Sequence, residues 1–293
     1  MRKIVWLFSV FWLFQGTAYA QNWYVKTDAQ TIYGKYSKSA QRNDMVGAGL
    51  FVSADYLDHG GFTLGYNYTQ VNLKAPLQSI TQNDFTGNIR LNFHPDALPG
   101  VLTMRLDLHT INNDDASGLT DAVKAYGSQV SFLNYAKSLY VDVGYNYSKY
   151  QFNFNVNQIT PTLGMGFNDA SEWVQLRAYI IKLSDKKRAQ GKSSTNALEV
   201  KWTHWFAVDN FLAADNLRAS AMLGERIYAV DSDSASVYNL TDLQTGAYSL
   251  GLEWKLGDHT TFMMMGGLEK YENKTIQDKY ESRFAYMNLG YQW

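Results

Sequence analysis

The chain has 293 residues, with 26 lysines and arginines against 27 aspartates and glutamates, and it contains no cysteine. This charge balance gives no basis for nucleic-acid binding, which needs a concentrated basic face. The lack of cysteine excludes disulfides, thiolate catalysis and thiolate metal ligands, so stability must come from packing or from a closed hydrogen-bond network.

The N-terminal region predicts a secretory signal peptide, residues 1–20. Residues 1–3 (Met-Arg-Lys) provide a positive start, residues 4–14 form an apolar run, and residues 18–20 (Ala-Tyr-Ala) match a small-x-small cleavage site. The apolar run is well short of the roughly 20 residues that span a bilayer as a helix. We therefore expect export and cleavage, which leaves residues 21–293 as a single mature domain.

The rest of the chain repeats stretches of about ten alternating apolar and polar residues followed by turn residues, a pattern typical of transmembrane β-strands. In residues 101–110, for example, Leu106 and Leu108 share one face while Arg105 and Asp107 share the other. A soluble sheet would need a second layer over its apolar face, whereas charged opposite faces suit a water-filled interior. The pattern predicts an all-β fold, an antiparallel up-and-down transmembrane β-barrel of fourteen strands, at residues 22–36, 43–56, 61–73, 81–93, 100–112, 122–134, 138–150, 153–167, 172–184, 195–206, 215–229, 243–256, 259–272 and 279–293.

Four stretches leave this assignment open in detail. Weak alternation near residues 80 and 125 keeps twelve or sixteen strands as alternatives. Pro161 lies inside the eighth predicted strand, where its missing N–H would interrupt the ladder, and it therefore predicts a bulge. Residues 259–271 (HTTFMMMGGLEKY) are apolar on both faces, so alternation does not decide which face is outward.

The connections and the tryptophans predict the orientation. Every second connection is short (LDHG, YAKS, NDAS, GDH), and those between them include three long polar stretches (NNDDASGLTDA, SDKKRAQGKSST, VDSDSASVYNLTDLQ). Outer-membrane barrels have short periplasmic turns and longer outer loops, so we expect both termini to be periplasmic and the loops at 185–194 and 231–242 to narrow the outer mouth. Indole rings prefer the membrane interface, and the tryptophans after residue 20 all fall near the predicted periplasmic rim, at Trp23, Trp173, Trp202, Trp205, Trp254 and Trp293.

The C-terminal stretch YMNLGYQW keeps one apolar face through Met287, Leu289, Tyr291 and Trp293. It resembles the C-terminal signal of bacterial outer-membrane β-barrel proteins, in which a terminal aromatic residue and another two positions before it are read by the barrel-insertion machinery. From signal peptide to terminal aromatic, the chain looks like the small porins of twelve or fourteen strands. This resemblance implies a monomer or homo-oligomer in the outer membrane of a Gram-negative bacterium, surrounded by lipid and lipopolysaccharide.

Charged side chains on the polar faces are the candidates for function. Rings of such charges bias the entry of ions or polar solutes, although charges that pair across strands would instead fill and stiffen a narrow barrel. We expect passive diffusion of small hydrophilic solutes or ions through a mixed-charge lumen. The predicted pore-lining residues are Arg90, Arg105, Asp107, His109, Asp142, Arg177, Glu199, Lys201, Arg218, Glu253 and Lys255.

Two other functions stay open. One is a non-conducting barrel that serves as a scaffold or export partner for another protein or a polysaccharide system. The other is a hydrolase in which Asp107 orients His109 as a general base, which would need a positioned third group. The scattered histidines do not predict a metal site, no cofactor is expected, and we interpret NNDDAS and VDSDSAS as solvated outer loops and not as sites for divalent cations.

Overall fold

The computed structural model describes residues 22–207 and 212–293, and these residues form sixteen β-strands. The predicted signal peptide, residues 1–20, lies outside the described residues. The strands are β1 (Trp23–Ser37), β2 (Arg42–Tyr56), β3 (Gly60–Leu73), β4 (Ile80–Phe93), β5 (Gly100–Asn113), β6 (Val123–Asn134), β7 (Leu139–Lys149), β8 (Asn155–Phe167), β9 (Glu172–Leu183), β10 (Ser194–Trp205), β11 (Asn216–Arg226), β12 (Val230–Asp231), β13 (Ser236–Val237), β14 (Leu243–Lys255), β15 (Thr260–Asn273) and β16 (Asp278–Gln292).

Fourteen of these strands close into one antiparallel barrel, and β12 and β13 form a separate two-stranded sheet between β11 and β14. Each wall strand pairs with its neighbour along the chain, and β16 returns to pair with β1. The predicted fold and the count of fourteen wall strands are therefore confirmed, and twelve or sixteen are excluded. Across the two described ranges, no helix is long and apolar enough to cross a membrane.

The barrel closes along the seam between β1 and β16. The pairing runs in unbroken register from Lys26 opposite Gln292 to Ser37 opposite Glu281. Beyond the last paired residue, the Trp293 backbone N–H donates to the Val25 carbonyl at 2.9 Å. No strand in this closed wall is left with an unpaired edge, which is the arrangement that removes exposed backbone donors and acceptors.

The wall has two chemically different faces, as the alternation predicts. In β5, Leu106 and Leu108 are exposed while the residues that alternate with them, Asp107 and His109, are buried. Cross-strand register keeps this phase from strand to strand, because Asp107 pairs with residues of β4 and β6 that share its face. The exposed apolar face is therefore the outside of the barrel and the polar face is its interior.

The two ends of the barrel also differ. Both ends of the described chain lie at one end, here called the terminus end, together with the connections at 57–59, 135–138, 168–171 and 256–259. The opposite end, here called the loop end, carries the connections at 114–122, 184–193 and 227–242. All six described tryptophans lie near the terminus end. Two stand at the starts of β1 and β9, and the others stand at or near the ends of β10, β14 and β16.

The bulge predicted at Pro161 is wrong. β8 keeps one register with β7 through Pro161, which pairs with Val143, and the ladder to β9 resumes in the same register at Thr162. In the β8–β9 ladder, residues 160 and 161 are left unpaired. The wall shifts register instead at the loop end, between residues 223 and 226, between residues 244 and 246, and between residues 42 and 44.

The first of these irregularities depends on Gly224. Its φ of +101° lies in a region that residues with a side chain rarely adopt. A Cβ there would also stand 2.5 Å from the Asn196 carbonyl oxygen of the neighbouring strand. The irregularity re-aims the chain as β11 ends at Arg226, so residues 227–229, which were predicted to continue this strand, leave the wall.

The structure shows which side chains of residues 259–271 face outward and which face the interior. Met264 is exposed on the outer face of β15, whereas Met263 and Met265 pair with Asn288 and Tyr286 on the interior phase of β16. Of the three consecutive methionines, the middle one therefore faces outward and the other two face the interior of the barrel.

Two adjacent glycines in β15 give a matched test of the two faces. A Cβ at Gly267 would stand 2.4 Å from the Phe284 ring and 2.5 Å from the Tyr248 carbonyl oxygen, whereas at Gly266 the nearest atom is 3.6 Å away. Overpacking of this kind costs about 1–3 kcal/mol. We expect Gly267→Ala to lower the temperature at which the folded, heat-modifiable band disappears on electrophoresis, and Gly266→Ala to leave it unchanged. Equal midpoints for the two variants would contradict the assigned faces.

Candidate functional site

The connection from β11 to β14, residues 227–242, folds into the loop end of the barrel; it is here called the infolded segment. Ile227, Tyr228, Ala229 and Val230 are at most 1% exposed. VDSDSAS, residues 230–236, was expected to be a solvated outer loop, and this is wrong for Val230 and Asp231, which are buried, whereas Asp233 and Ser234 are exposed. Sequence reasoning missed the segment, although the apolar run that continues from β11 into VDSDSAS was a signal for it.

Paired charges anchor the infolded segment to the wall. Arg177 in β9 contacts Asp231 at 3.2 Å and Asp233 at 2.8 Å. Lys201 in β10 lies 3.5 Å from Asp233 and 3.9 Å from Asp231. Because Arg177 and Asp231 are both buried, each would be costly to leave without its partner.

The same contacts set the ionisation of Asp231. Burial acts to raise the pKa of this carboxyl, but the positive charges of Lys201 and Arg177 outweigh it and hold the pKa below its usual range. The carboxylate therefore stays charged in the docked segment at neutral and mildly acidic pH. Its contribution to docking is present above the ordinary aspartate pKa of about 3.9 and is lost as the pH falls below that value.

Hydrogen bonds to the backbone of the infolded segment also fix its position. Gln158 in β8 donates to the Val230 carbonyl at 2.6 Å and accepts from the Val230 backbone N–H at 3.0 Å, as a neighbouring strand would do. From β5, Arg105 donates to the Ser232 carbonyl at 2.5 Å. Together with the ion pairs from β9 and β10, four wall strands thus hold residues 230–233.

The C-terminal part of the segment reaches the other side of the barrel. Asn239 donates to Gln82 of β4 at 2.9 Å. Asp242 is buried and accepts hydrogen bonds from the Tyr280 hydroxyl of β16 at 2.6 Å and from Arg42 of β2. Since its anchors lie on β2, β4, β5, β8, β9, β10 and β16, the infolded segment crosses the interior.

The arginine where β11 ends also helps to hold the segment. The Arg226 guanidinium lies 3.9 Å from the centre of the Tyr238 ring and 5.1 Å from that of Tyr179, within the range of a cation–π interaction. Gln244 accepts a hydrogen bond from Arg226 at 2.5 Å. This arginine is buried, so these partners replace the water that it would otherwise bind.

Six of the predicted pore-lining residues are joined in the group that surrounds the infolded segment. Arg105 pairs with Asp107 at 2.6 Å. Glu199 lies 3.5 Å from Lys201 and accepts a hydrogen bond from the Tyr179 hydroxyl at 2.9 Å. The six residues are Arg105, Asp107, Asp142, Arg177, Glu199 and Lys201, with Asp142 lying 3.7 Å from Arg177.

The other predicted residues lie apart from this group. Arg90 pairs with Asp55 at 2.7 Å. Arg218 pairs with Glu253 of the neighbouring strand at 2.8 Å, and Lys255 is exposed at the end of β14. That these residues line a conducting pore remains a prediction.

The geometry does not join Asp107 to His109. Asp107 accepts a hydrogen bond from Arg105 at 2.7 Å, and the carboxylate beside the buried His109 is that of Asp84, 3.8 Å away. That separation exceeds hydrogen-bond length, so the imidazole is not oriented for general-base work. Within residues 22–207 and 212–293, no group of three or more His, Cys, Asp or Glu side chains is placed to hold a metal ion.

The barrel is similar to solved outer-membrane structures, although no protein-family model and no curated protein matches the chain. The Pseudomonas putida toluene transporter TodX superposes with a TM-score of 0.53 at 8% identity, covering 93% of this chain and 89% of that one. A TodX ΔS2S3 mutant, described as a monoaromatic hydrocarbon channel, gives 0.56 at 9% identity, with 93% and 91% covered. A bacterial polysaccharide outer membrane secretin gives 0.53 at 8% identity, with 91% and 98% covered. At such identities the likeness shows the fold, and it confirms the prediction of an outer-membrane type of β-barrel.

Neutralising the two carboxylates of the infolded segment tests how it is held. In a variant with Asp231→Asn and Asp233→Asn, Arg177 and Lys201 lose their charged partners on the infolded segment, and breaking a buried pair costs about 3–5 kcal/mol. We expect hydrogen exchange, followed by mass spectrometry, to accelerate across residues 228–238. Asp169→Asn, in an exposed turn at the terminus end, is the control and should change nothing. Unaltered protection in the double variant would show that the ion pairs do not hold the segment.

Proposed function

We propose that the protein is an outer-membrane channel for passive diffusion of small hydrophilic solutes or ions, and that the infolded segment controls the passage. The observation that carries this proposal is the closed sheet, which is apolar outside and carries paired charges inside. An apolar outer belt on a closed barrel suits hydrocarbon, in which every backbone polar group needs a partner within the protein. The likeness of the fold to TodX, described as a transporter and as a hydrocarbon channel, supports the assignment.

Several features support the outer membrane as the location. The tryptophans gather at the terminus end, as expected of a membrane interface. We propose that this end is periplasmic, that residues 1–20 are removed on export, and that Met287, Leu289, Tyr291 and Trp293 form the signal for the insertion machinery. Lipid and lipopolysaccharide would then surround the exposed outer face.

The infolded segment gives the channel a means of control. While the segment is docked, its carboxylates pair with Arg177 and Lys201, and its Ser232 carbonyl accepts a hydrogen bond from Arg105. Undocking would take the Asp231 and Asp233 carboxylates away from the wall and make this part of the lumen more positive, which would attract anions. The docked and undocked states would therefore differ in both width and charge selectivity.

A planar-bilayer recording on the purified full chain tests the proposal. We expect stable single-channel current steps. Silence together with a co-purifying protein would support the scaffold or export role, and silence together with lipid or peptide hydrolysis would support the hydrolase. Either silent outcome would overturn the channel.

Arginine variants connect the current to the site. We expect Arg177→Ala and Arg105→Ala to alter the step amplitude and the ratio of anion to cation permeability, because each removes an anchor of the infolded segment. Arg283→Ala is the matched control, since Arg283 is exposed on the outer phase of β16. If Arg177→Ala fails to fold, Arg105→Ala carries the comparison. Recordings in which both interior variants match the control would contradict a role for this site in conduction.

A further inference from the structure

A second interior surface differs from the charged wall around the infolded segment. It consists of five side chains on three adjacent strands: Ile32 of β1, Met263 and Met265 of β15, and Phe284 and Tyr286 of β16. Ile32 and Met265 both pair with Tyr286 in register, so these three side chains form one continuous row across the wall. This group is here called the methionine–aromatic patch.

Glycines on neighbouring strands let the patch lie flat against the wall. The Phe284 ring covers Gly267, where an added Cβ would stand 2.4 Å from the ring. Ile32 covers Gly47 in the same way, because a Cβ added at Gly47 would stand 2.9 Å from the Ile32 side chain. Side chains larger than glycine at these positions would push both groups into the lumen. The glycines therefore widen the barrel along this side.

The infolded segment does not seal the patch as it seals the charged wall. All five patch residues keep partial exposure, whereas interior residues of β8 and β9 that contact the segment or lie beside it, such as Gln158 and Arg177, are buried. In a closed barrel, partial exposure of an inward side chain means that free space lies in front of it.

Uncharged hydrogen-bonding groups border the patch. The Tyr286 hydroxyl donates to Gln30 at 2.7 Å, and Gln30 donates to Asn67 at 2.8 Å. Asn288 stands in register with both Gln30 and Met263. The patch thus combines an apolar floor with an amide edge, the composition usual for small-molecule sites.

The charges near the patch define its occupant. On β1, β15 and β16 the interior positions from the Gln30 row to the Phe284 row are apolar, amide, aromatic or glycine. The nearest charged groups already have partners. Glu253 of β14, in register with Met263, pairs with Arg218 at 2.8 Å, and Asp28 of β1 pairs with Lys26 at 2.8 Å. The next carboxyl along β15, Glu269, accepts hydrogen bonds from Gln244 at 3.0 Å and from Tyr271 at 2.7 Å. A surface without free charge favours a neutral ligand, since a charged one would lose hydration without gaining a partner.

We propose that the methionine–aromatic patch binds neutral hydrophilic solutes that carry an aromatic ring, with aryl glycosides as the model class. Thioether sulfurs make favourable contacts with aromatic rings, and Phe284 and Tyr286 offer edge-to-face contacts. The amide edge receives the hydroxyl groups of such a solute. The proposal rests on the channel function and names a solute class for it.

Phenyl β-glucoside and methyl β-glucoside form a matched pair of probes, because both are neutral sugars and only one carries a ring. Each is added to the full chain in a planar bilayer while the ionic current is recorded. We expect the phenyl compound to interrupt the current at a concentration about tenfold lower than the methyl compound requires, which corresponds to about 1.4 kcal/mol. Met263→Gln with Met265→Gln should abolish this difference.

Met264→Gln is the control, because Met264 carries the same side chain between the two inward methionines but faces outward. It should keep the preference for the phenyl compound. If the double variant fails to fold, Ile32→Thr provides the same comparison on β1. Current steps that both glucosides interrupt equally, or a preference that survives the inward substitutions, would overturn the patch while leaving the channel intact. The lack of any current would instead reject the channel itself.

Discussion

The pairing of every wall strand with two neighbours is the constraint on which the rest of the structure depends. A backbone N–H or C=O without a partner costs several kcal/mol in an apolar environment, so an open sheet edge cannot face lipid. The β1–β16 seam removes that edge. Once the sheet is closed, a period of two leaves only two destinations for side chains: Leu106 and Leu108 point outward, and Asp107 points inward.

Closure creates a second problem, because the charges brought inside must be paired. The infolded segment solves this on one side of the barrel, where Arg177 and Lys201 meet Asp231 and Asp233. The opposite side has few charges to pair and is lined by methionine, aromatic and amide side chains above glycines. The interior therefore has a charged side that holds the infolded segment and a side with few charges whose inward side chains stay partly exposed. The sequence predicted a lumen of mixed charge, and it gave no sign that the charges would gather on one side.

Local pattern was enough to predict the wall, because strand period and turn composition are properties of neighbouring residues. Features set by distant pairing were not predictable in this way. Met263 and Met265 receive their phase from β16, and Glu253 pairs with Arg218 across strands although Lys255 is closer in sequence. The infolded segment has the polar composition of an outer loop. Its place inside the barrel is set by pairing of Asp231 and Asp233 with distant residues of the wall. Pro161 shows the reverse case, in which tertiary closure holds a strand straight against a local preference.

The most direct test of the alternation is the accessibility of two adjacent positions in β16, made simple by a sequence without cysteine. Met287→Cys lies on the exposed apolar face, and Asn288→Cys lies on the interior phase. With the protein in lipid vesicles, a water-soluble maleimide should label residue 288 and leave residue 287 protected by hydrocarbon. Labelling of residue 287 at an equal or faster rate would contradict a closed barrel with lipid outside and water within.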